Sequence, residues 1–456
     1  MKTANKTITA TMLVTDALKK AEFFADYNIF TSLYKEQALK RAAEIDEKIA
    51  RGENVGRLAG VPFAAKDNYL VKDTLTTASS HILEPFVAPV TSTVVRQLEA
   101  EGAILIGKVN LDSFAHGSST ENSYFGPTLN AYDKTRVAGG SSGGSAVAVA
   151  LDVVEFTTGS DTGGSIRQPA SFNGIYGFKP TYGATSRYGV ISMASSLDVD
   201  GFFTKSAEDL DLLMSICAHK DTNDMTTLPD FYQESEVKPV KKIGIIKEYN
   251  NDAVDPAIRE ALSSKCEELK SKGYEIVELS MPTLKYALAI YYIIQPAEVA
   301  SNLSRYDGIR YGFRSENSKD LDSLYGSTRN EGFMKENKRR IMIGNFVLSS
   351  GFYDAYFLKA AKARTLLIQE YKKAFEECDV VLAPVSPNPA FKLGEKVNDP
   401  VSMYLEDLMS VAINLAGIPG LAIPVTKNSE GLPIGLQILG PRRSDKTLIN
   451  FAKEIA

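Results

Sequence analysis

Residues Thr157 to Ser171 read "TTGSDTGGSIRQPAS". Glycines, serines, an aspartate and an arginine crowd one loop, directly after the apolar run "VVEFTT". A plain loop is one explanation. The other is a place where backbone N–H groups must come close to a substrate, since consecutive glycines free those groups to point at a single spot. A second stretch repeats the pattern. "AGGSSGGSA" (Ala138 to Ala146) leads at once into the apolar "AVAVA", which reads as a helix with Ser141 and Ser142 near its N-terminus rather than as a flexible linker.

Outward from these loops the text alternates. "LAGVPFAAKDNYLV" (Leu58 to Val71) reads as a short buried strand whose end carries Lys66. "TSTVVRQLEAEGAILIGKVNLD" (Thr91 to Asp112) reads as a helix closed by Gly102, then a strand. Helical periodicity runs through residues 12 to 50. Ser206 to Asp209 opens another helix with a capping-box pattern, and "KKIGIIKEY" is a strand. Residues 281 to 375 are mostly helical, and "DVVLAPVSP" and "GLPIGLQILG" return to sheet. This rhythm predicts an α/β layer architecture around one large sheet. With no repeat and no linker of Pro or Ser, residues 1–456 are expected to form a single domain with a mostly helical insertion at about 281–375.

Composition removes several classes of function. The net charge of −5 provides no basic stripe for a nucleic-acid backbone, and "KENKRR" (Lys335 to Arg340) reads as a solvated helix face. Cys217, Cys266 and Cys378 are too scattered for a disulfide framework or a zinc site, which favours a reducing compartment. No apolar run is long enough to span a membrane or to serve as a signal peptide, so a cytoplasmic location is expected. There is no G-x-x-x-x-G-K-[ST], no G-x-G-x-x-G after a strand and no G-x-S-x-G around Ser165. Only His81, His116 and His219 could act as a histidine base, and H-E-x-x-H is absent, so no metal site is expected. His116 in "LDSFAHGSSTENS" is the best placed of the three. What remains is serine with lysine. A lysine becomes a base when burial lowers its pKa, and Lys66 at the end of a buried strand fits; its bland alternative is a surface lysine paired with Asp67.

The string "GGSSGGSAVAVA" (Gly139 to Ala150) with "GSDTGGSIRQPASFNGIYGFKPTYG" (Gly159 to Gly183) resembles the amidase signature family, and the likeness runs without interruption from about Leu58 to Gly183. The resemblance implies an amidase-signature fold, a large mixed central sheet covered by helices on both faces. It also implies a Ser–Ser–Lys triad: Lys66 in "AAKDN", Ser141 in "GGSSGG" and Ser165 in "TGGSIR" as the nucleophile. The backbone N–H groups of Thr162, Gly163, Gly164 and Ser165 would form the oxyanion hole, and the Gly140–Ser141 peptide would be cis. Asp161 and Arg167 read as a structural clamp on the loop.

Further stretches resemble one branch of that family, the glutaminase subunits of the glutamyl-tRNA(Gln)/aspartyl-tRNA(Asn) amidotransferases. They are "GKVNLDSFAHGSSTENSYFGPTLN" (Gly107 to Asn130), "SRYGVISMASSLDVDG" (Ser186 to Gly201), "EVASNLSRYDGIRYGFRS" (Glu298 to Ser315) and "LSSGFYDAYFLKAAKARTLL" (Leu348 to Leu367). The branch implies glutamine as substrate, with Arg340 for its carboxylate, Asp407 for its ammonium and Tyr291 nearby; a register error of one residue would put these roles on Arg339, Glu406 and Tyr292. It implies no cofactor on this chain. ATP and Mg²⁺ would sit on a partner, the B subunit of the amidotransferase, which would also hold the charged tRNA. A small C subunit would brace the pair. The text departs from the branch at its ends, with little room for a leading helix and a shortened last helix, and at His116, where a methionine is usual. Three rivals stay open: a stand-alone amidase for small amides, a non-catalytic scaffold of a tRNA-modifying assembly, and a phosphate-binding module using the glycine loops.

Overall fold

The structure is a computed structural model that describes residues 1–229 and 231–455. Eleven strands join one mixed sheet: β1 (Phe30–Leu33), β2 (Pro62–Lys66), β3 (Ile104–Val109), β4 (Phe156–Asp161), β5 (Tyr176–Lys179), β6 (Val199–Thr204), β7 (Lys242–Ile246), β8 (Glu275–Leu279), β9 (Val380–Pro384), β10 (Gly420–Lys427) and β11 (Pro433–Leu439). Their order is β1-β3-β2-β4-β6-β5-β10-β11-β9-β7-β8. β2 runs parallel to β3 and β4, and β7 runs parallel to β8 and β9; the remaining pairs are antiparallel.

Both faces of the sheet are buried, because successive side chains of a strand point to opposite sides. Phe63 and Ala65 of β2 pack with Val94, Leu98, Leu210 and Leu213, which belong to the helices Thr93–Ala100 and Ala207–Cys217. Ala64 between them packs with Ala10, Val14, Ala146 and Val147, from the helices Ala10–Phe23 and Gly143–Ala150. The same alternation recurs in β10, where Leu421 and Ile423 face one cluster and Ala422 faces the other. This is the expected α/β fold, with helices on both faces of a large mixed sheet.

The N-terminal text does form a helix, Ala10–Phe23, contrary to the expectation of little room for one. Thr9 caps it, accepting from the Met12 N–H at 3.0 Å, and its apolar face (Ala10, Val14, Ala17, Leu18, Ala21) is buried. The periodicity over 12 to 50 is broken by β1, a four-residue strand paired antiparallel with β3. At the other end, the last helix spans Asp445–Ile455. Ser206 caps its helix by accepting from Asp209 N. Between residues 281 and 375 lie the helices Ala287–Asn302, Leu321–Gly332, Lys335–Leu348 and most of Lys359–Glu377.

Candidate active site

Lys66 ends β2 and is fully buried. Its Nζ lies 2.8 Å from Ser141 Oγ, 2.9 Å from Ser160 Oγ and 3.3 Å from Ser160 O. A neutral amine satisfies all three contacts, with two N–H groups on Ser160 and the lone pair on the Ser141 hydroxyl. Burial brings the amine down to about 7, against the opposing pull of Asp112, Asp161, Asp200 and Asp198. The bland alternative fails, because Asp67 pairs instead with Lys108 Nζ at 3.1 Å, in a site where both are buried. Lys179 shows that a lowered pKa alone does not select a base. Burial and Arg167 bring it to about 7 as well, yet its amine donates to the Pro180 carbonyl at 2.8 Å. The serine beside Lys66 makes the difference.

Ser141 begins the turn into the helix Gly143–Ala150, and the Gly140–Ser141 peptide is cis. Asp112 supports this turn: its N–H donates to Ser141 O at 3.1 Å, and its carboxylate accepts from Thr120 N (2.8 Å) and Asn122 N (3.0 Å). A Cβ on Gly140 would stand 2.2 Å from Asp112 Oδ2, so no larger residue fits there. Ser165 is 8% exposed and meets this turn through its backbone, accepting from Ser142 N at 3.3 Å. Its hydroxyl makes no hydrogen bond among the described residues. The structure thus joins Lys66 to Ser141 side chain to side chain, and joins Ser165 to the pair by main chain.

The glycine loop is held from beneath. Asp161 Oδ1 accepts from Gly164 N (2.9 Å), Arg167 Nη2 (2.9 Å) and Asn414 Nδ2 (3.0 Å), and Oδ2 accepts from Ile166 N and Arg167 Nε, both at 3.1 Å. Burial would raise this carboxyl, but Arg167, Lys179 and the backbone donors hold it well below the carboxylate range. Arg167 also donates to Gln437 Oε1 (2.9 Å), Asn414 Oδ1 (2.7 Å) and Ser410 O (3.1 Å). The clamp has a consequence for the expected oxyanion hole. The Gly164 N–H is spent on Asp161, which leaves Thr162, Gly163 and Ser165 of the four groups. Gly163 and Gly164 are glycines for steric reasons: a Cβ on Gly163 would lie 2.7 Å from Tyr291 Cζ and Oη, and one on Gly164, whose φ is +134°, 2.4 Å from Ser410 Oγ.

The helix Lys335–Leu348 does not present Arg340 as a surface charge. Arg340 is 3% exposed, donates from Nε to Glu336 Oε1 at 2.8 Å and lies over the rings of Tyr292 (5.2 Å) and Tyr404 (5.5 Å). Tyr404 OH also donates to Glu336 Oε1, at 2.7 Å. Asp407 accepts from Ser118 Oγ and from Tyr292 OH, each at 2.7 Å, and burial lifts it to about 6 against those bonds and Arg340. Tyr291 packs its ring on Gly163 and edge-on to Tyr292, 5.1 Å between centroids. Among the register alternatives, Arg339 pairs with Glu336 Oε2 and Glu406 pairs with Lys396, Ser386 and Asn388. Tyr292, not Tyr291, is the tyrosine bonded to Asp407. Arg340 opens on a cavity of about 430 Å³ together with His116, Ser118, Ser119, Glu336 and Tyr404. A second cavity, about 230 Å³, has Ser160, Thr162 and Asp198 in its wall.

Sequence reasoning missed the residues that tie these parts together: Ser160 on Lys66, Glu336 on Arg340, Ser118 on Asp407, and Ser410, Asn414 and Gln437 on the loop. No local pattern marks them. Of the other histidines, His81 Nδ1 lies 2.7 Å from Glu84, and its ring stacks on Tyr124.

The family model described as Amidase matches residues 12–449. The A subunit of the glutamyl-tRNA(Gln) amidotransferase of Koribacter versatilis (strain Ellin345) is 47% identical, over 98% of this chain and 94% of its own length. The protein of the same name from Persephonella marina (strain DSM 14350 / EX-H1) is 49% identical over 91% of this chain and 87% of its own. The crystal structure of the corresponding glutamyl-tRNA(Gln) amidotransferase A subunit from Thermotoga maritima superposes with a TM-score of 0.80 at 37% identity, covering 98% of this chain and 91% of that one. The chain belongs to the amidase signature family.

Proposed function

We propose that this chain is the glutamine-hydrolysing subunit of a tRNA-dependent amidotransferase, supplying ammonia that converts Glu-tRNA(Gln), Asp-tRNA(Asn) or both to the amidated forms. The observation that carries the reading is the buried Lys66 amine 2.8 Å from Ser141 Oγ, at the loop that holds Ser165. The near-full-length relatives that bear the name of that component support it.

In this reading neutral Lys66 takes the Ser141 proton while Ser141 takes that of Ser165, once the Ser165 hydroxyl rotates onto Ser141. Ser165 Oγ attacks the side-chain carboxamide carbon of glutamine. The oxyanion is met by the N–H groups of Thr162, Gly163 and Ser165. Protons return along the relay as the C–N bond breaks and ammonia leaves, and water then releases glutamate from the acyl-serine. Arg340 takes the substrate carboxylate through its free guanidinium edge, Asp407 takes the ammonium, and the Tyr291 ring closes the pocket over Gly163. Residues 1–456 act as one unit in which the helical stretch at about 281–375 supplies the substrate-recognising helix. Activation of the charged tRNA, with ATP and Mg²⁺, belongs to the B subunit of the amidotransferase, with its C subunit bracing the pair, in the cytoplasm. Among the described residues no helix is long and apolar enough to cross a membrane.

The test is ammonia release from glutamine by the assembled complex carrying wild-type or Ser165→Ala chain. Wild type turns glutamine over and the variant does not; release by Ser165→Ala at the wild-type rate would remove the proposed nucleophile.

A further inference from the structure

The main chain of the glycine loop can be followed group by group. Gly164 N donates to Asp161 Oδ1 at 2.9 Å, Gly164 O accepts from Gln168 N at 2.9 Å, and Ser165 O accepts from Ser142 N at 3.3 Å. Gly163 O accepts from the Ser410 hydroxyl, its one hydrogen bond among the described residues. The N–H groups of Gly163 and Ser165 make none there. The peptide joining Gly163 to Gly164 is therefore held at both ends, by Ser410 at its oxygen and by Asp161 at its nitrogen, and the two free N–H groups flank it. Ser410 is itself fixed by its main chain. It is buried, its N–H donates to Asp407 O at 3.1 Å, and its carbonyl accepts from Arg167 Nη2 at 3.1 Å. The Ser410 hydroxyl also lies 3.1 Å from Asp407 O, but its single proton serves the nearer carbonyl, that of Gly163.

Neither end of that peptide carries a Cβ, so the plane has the freedom to turn and its hydrogen bonds decide its tilt. The tilt matters because Gly163 N–H and Ser165 N–H belong to the rigid peptides on either side. The angle between them is set by rotations at the two glycine Cα atoms. Donors to an oxyanion help only when they already aim at one point as the charge develops. Resting on the reading of this chain as a glutaminase, we infer that Ser410 is a positioning residue for the oxyanion hole: by holding Gly163 O, its hydroxyl sets the angle at which Gly163 N–H and Ser165 N–H converge. Without that donor, Gly163 O is buried and unpaired, and the plane turns to relieve it. The Asp407 carboxylate keeps its own bonds to Ser118 and Tyr292, so the grip on the substrate is unaffected.

The test uses the assembled complex. Ser410→Ala should lower kcat for ammonia release from glutamine about tenfold to a hundredfold, with KM within about twofold. Ser410→Thr, which keeps a hydroxyl, should stay within about threefold of wild type, and Ser410→Cys, similar in shape but a weaker donor, should fall between the two. The discriminating readout is 2-amino-4-boronobutanoate, in which boron replaces the carboxamide carbon of glutamine. Its boron takes the Ser165 oxygen as a fourth ligand, the serine proton passes to Lys66, and a boron oxygen stands where the oxyanion forms. Ser410→Ala should weaken this inhibitor by the factor by which kcat falls. Calorimetry on Ser165→Ala chains should meanwhile show the same glutamine affinity with and without Ser410→Ala. An unchanged kcat, equal losses of boronate and glutamine affinity, or a Thr variant no better than Ala would overturn the inference. Wild-type complex that releases no ammonia from glutamine would instead overturn the underlying function.

Discussion

Lys66 provides the most quantitative test of the mechanism. An exposed lysine with its ordinary value of 10.5 is neutral in only about one molecule in a thousand at pH 7.5, whereas an amine brought to about 7 is neutral in about three-quarters. Burial at the end of β2 thus enriches the free base several-hundredfold. It follows that kcat/KM for glutamine should rise with pH through a midpoint near 7 and fall about tenfold per unit well below it. Lys66→Met removes the base while keeping the length of the side chain. Activity should drop by about 10²- to 10⁴-fold, and the limb near pH 7 should vanish with it. The assay is initial-rate ammonia release at saturating and limiting glutamine from about pH 5.5 to 9. A midpoint near 10, or a limb near 7 that persists in Lys66→Met, would refute the assignment.

Further outcomes follow from the same contacts. Relative to wild type, Lys66→Met should gain thermal stability most below pH 7 and progressively less toward 10.5; in that window the unfolded lysine binds a proton that the folded one resists, and scanning calorimetry across pH reads the sign. Ser141→Ala should lower kcat about as severely as Lys66→Met, with unchanged circular dichroism, and combining the two should add little, because both belong to one relay. Arg167→Met should cost about 3–5 kcal/mol in denaturant unfolding by leaving Asp161 buried and unpaired, whereas a variant as stable as wild type would show the clamp to be dispensable. Arg340→Met should raise KM for glutamine while sparing 4-aminobutanamide, and equal effects on both amides would remove its carboxylate role.

How much of this was written in the text depends on the distance over which each feature is decided. β2, β3, β4 and the two glycine loops are set by neighbours in sequence: apolar alternation, then residues small enough for backbone to approach backbone. The placing of Lys66 at a strand end and of Ser141 and Ser165 in the glycine loops was therefore legible, whereas the roles proposed for them came from the family resemblance. β1 and β8 were not, because four or five residues at a sheet edge carry weak periodicity and gain their pairing from β3 and β7. β10 carries Pro424 at a register shift, which interrupts the alternation a strand reading relies on. Arg340 looked like part of a charged helix face, since nothing in "KENKRR" reveals that Tyr292 and Tyr404 cover it. The Gly164 N–H was misassigned for a similar reason. The glycine run shows which amides are free to turn, but not that Asp161 has already taken one.

The Asp161–Arg167 clamp draws on Ser410, Asn414 and Gln437, partners 243 to 270 residues further along the chain than Arg167. During synthesis, the loop bearing Ser165 leaves the ribosome long before the groups that shape it. A nascent or truncated polypeptide that stops short of Ser410 would hold Lys66, Ser141 and Ser165 yet lack the contacts of Ser410, Asn414 and Gln437 that hold the loop. In this architecture the loop bearing Ser165 receives its side-chain clamp only after residues 410 to 437 have been made.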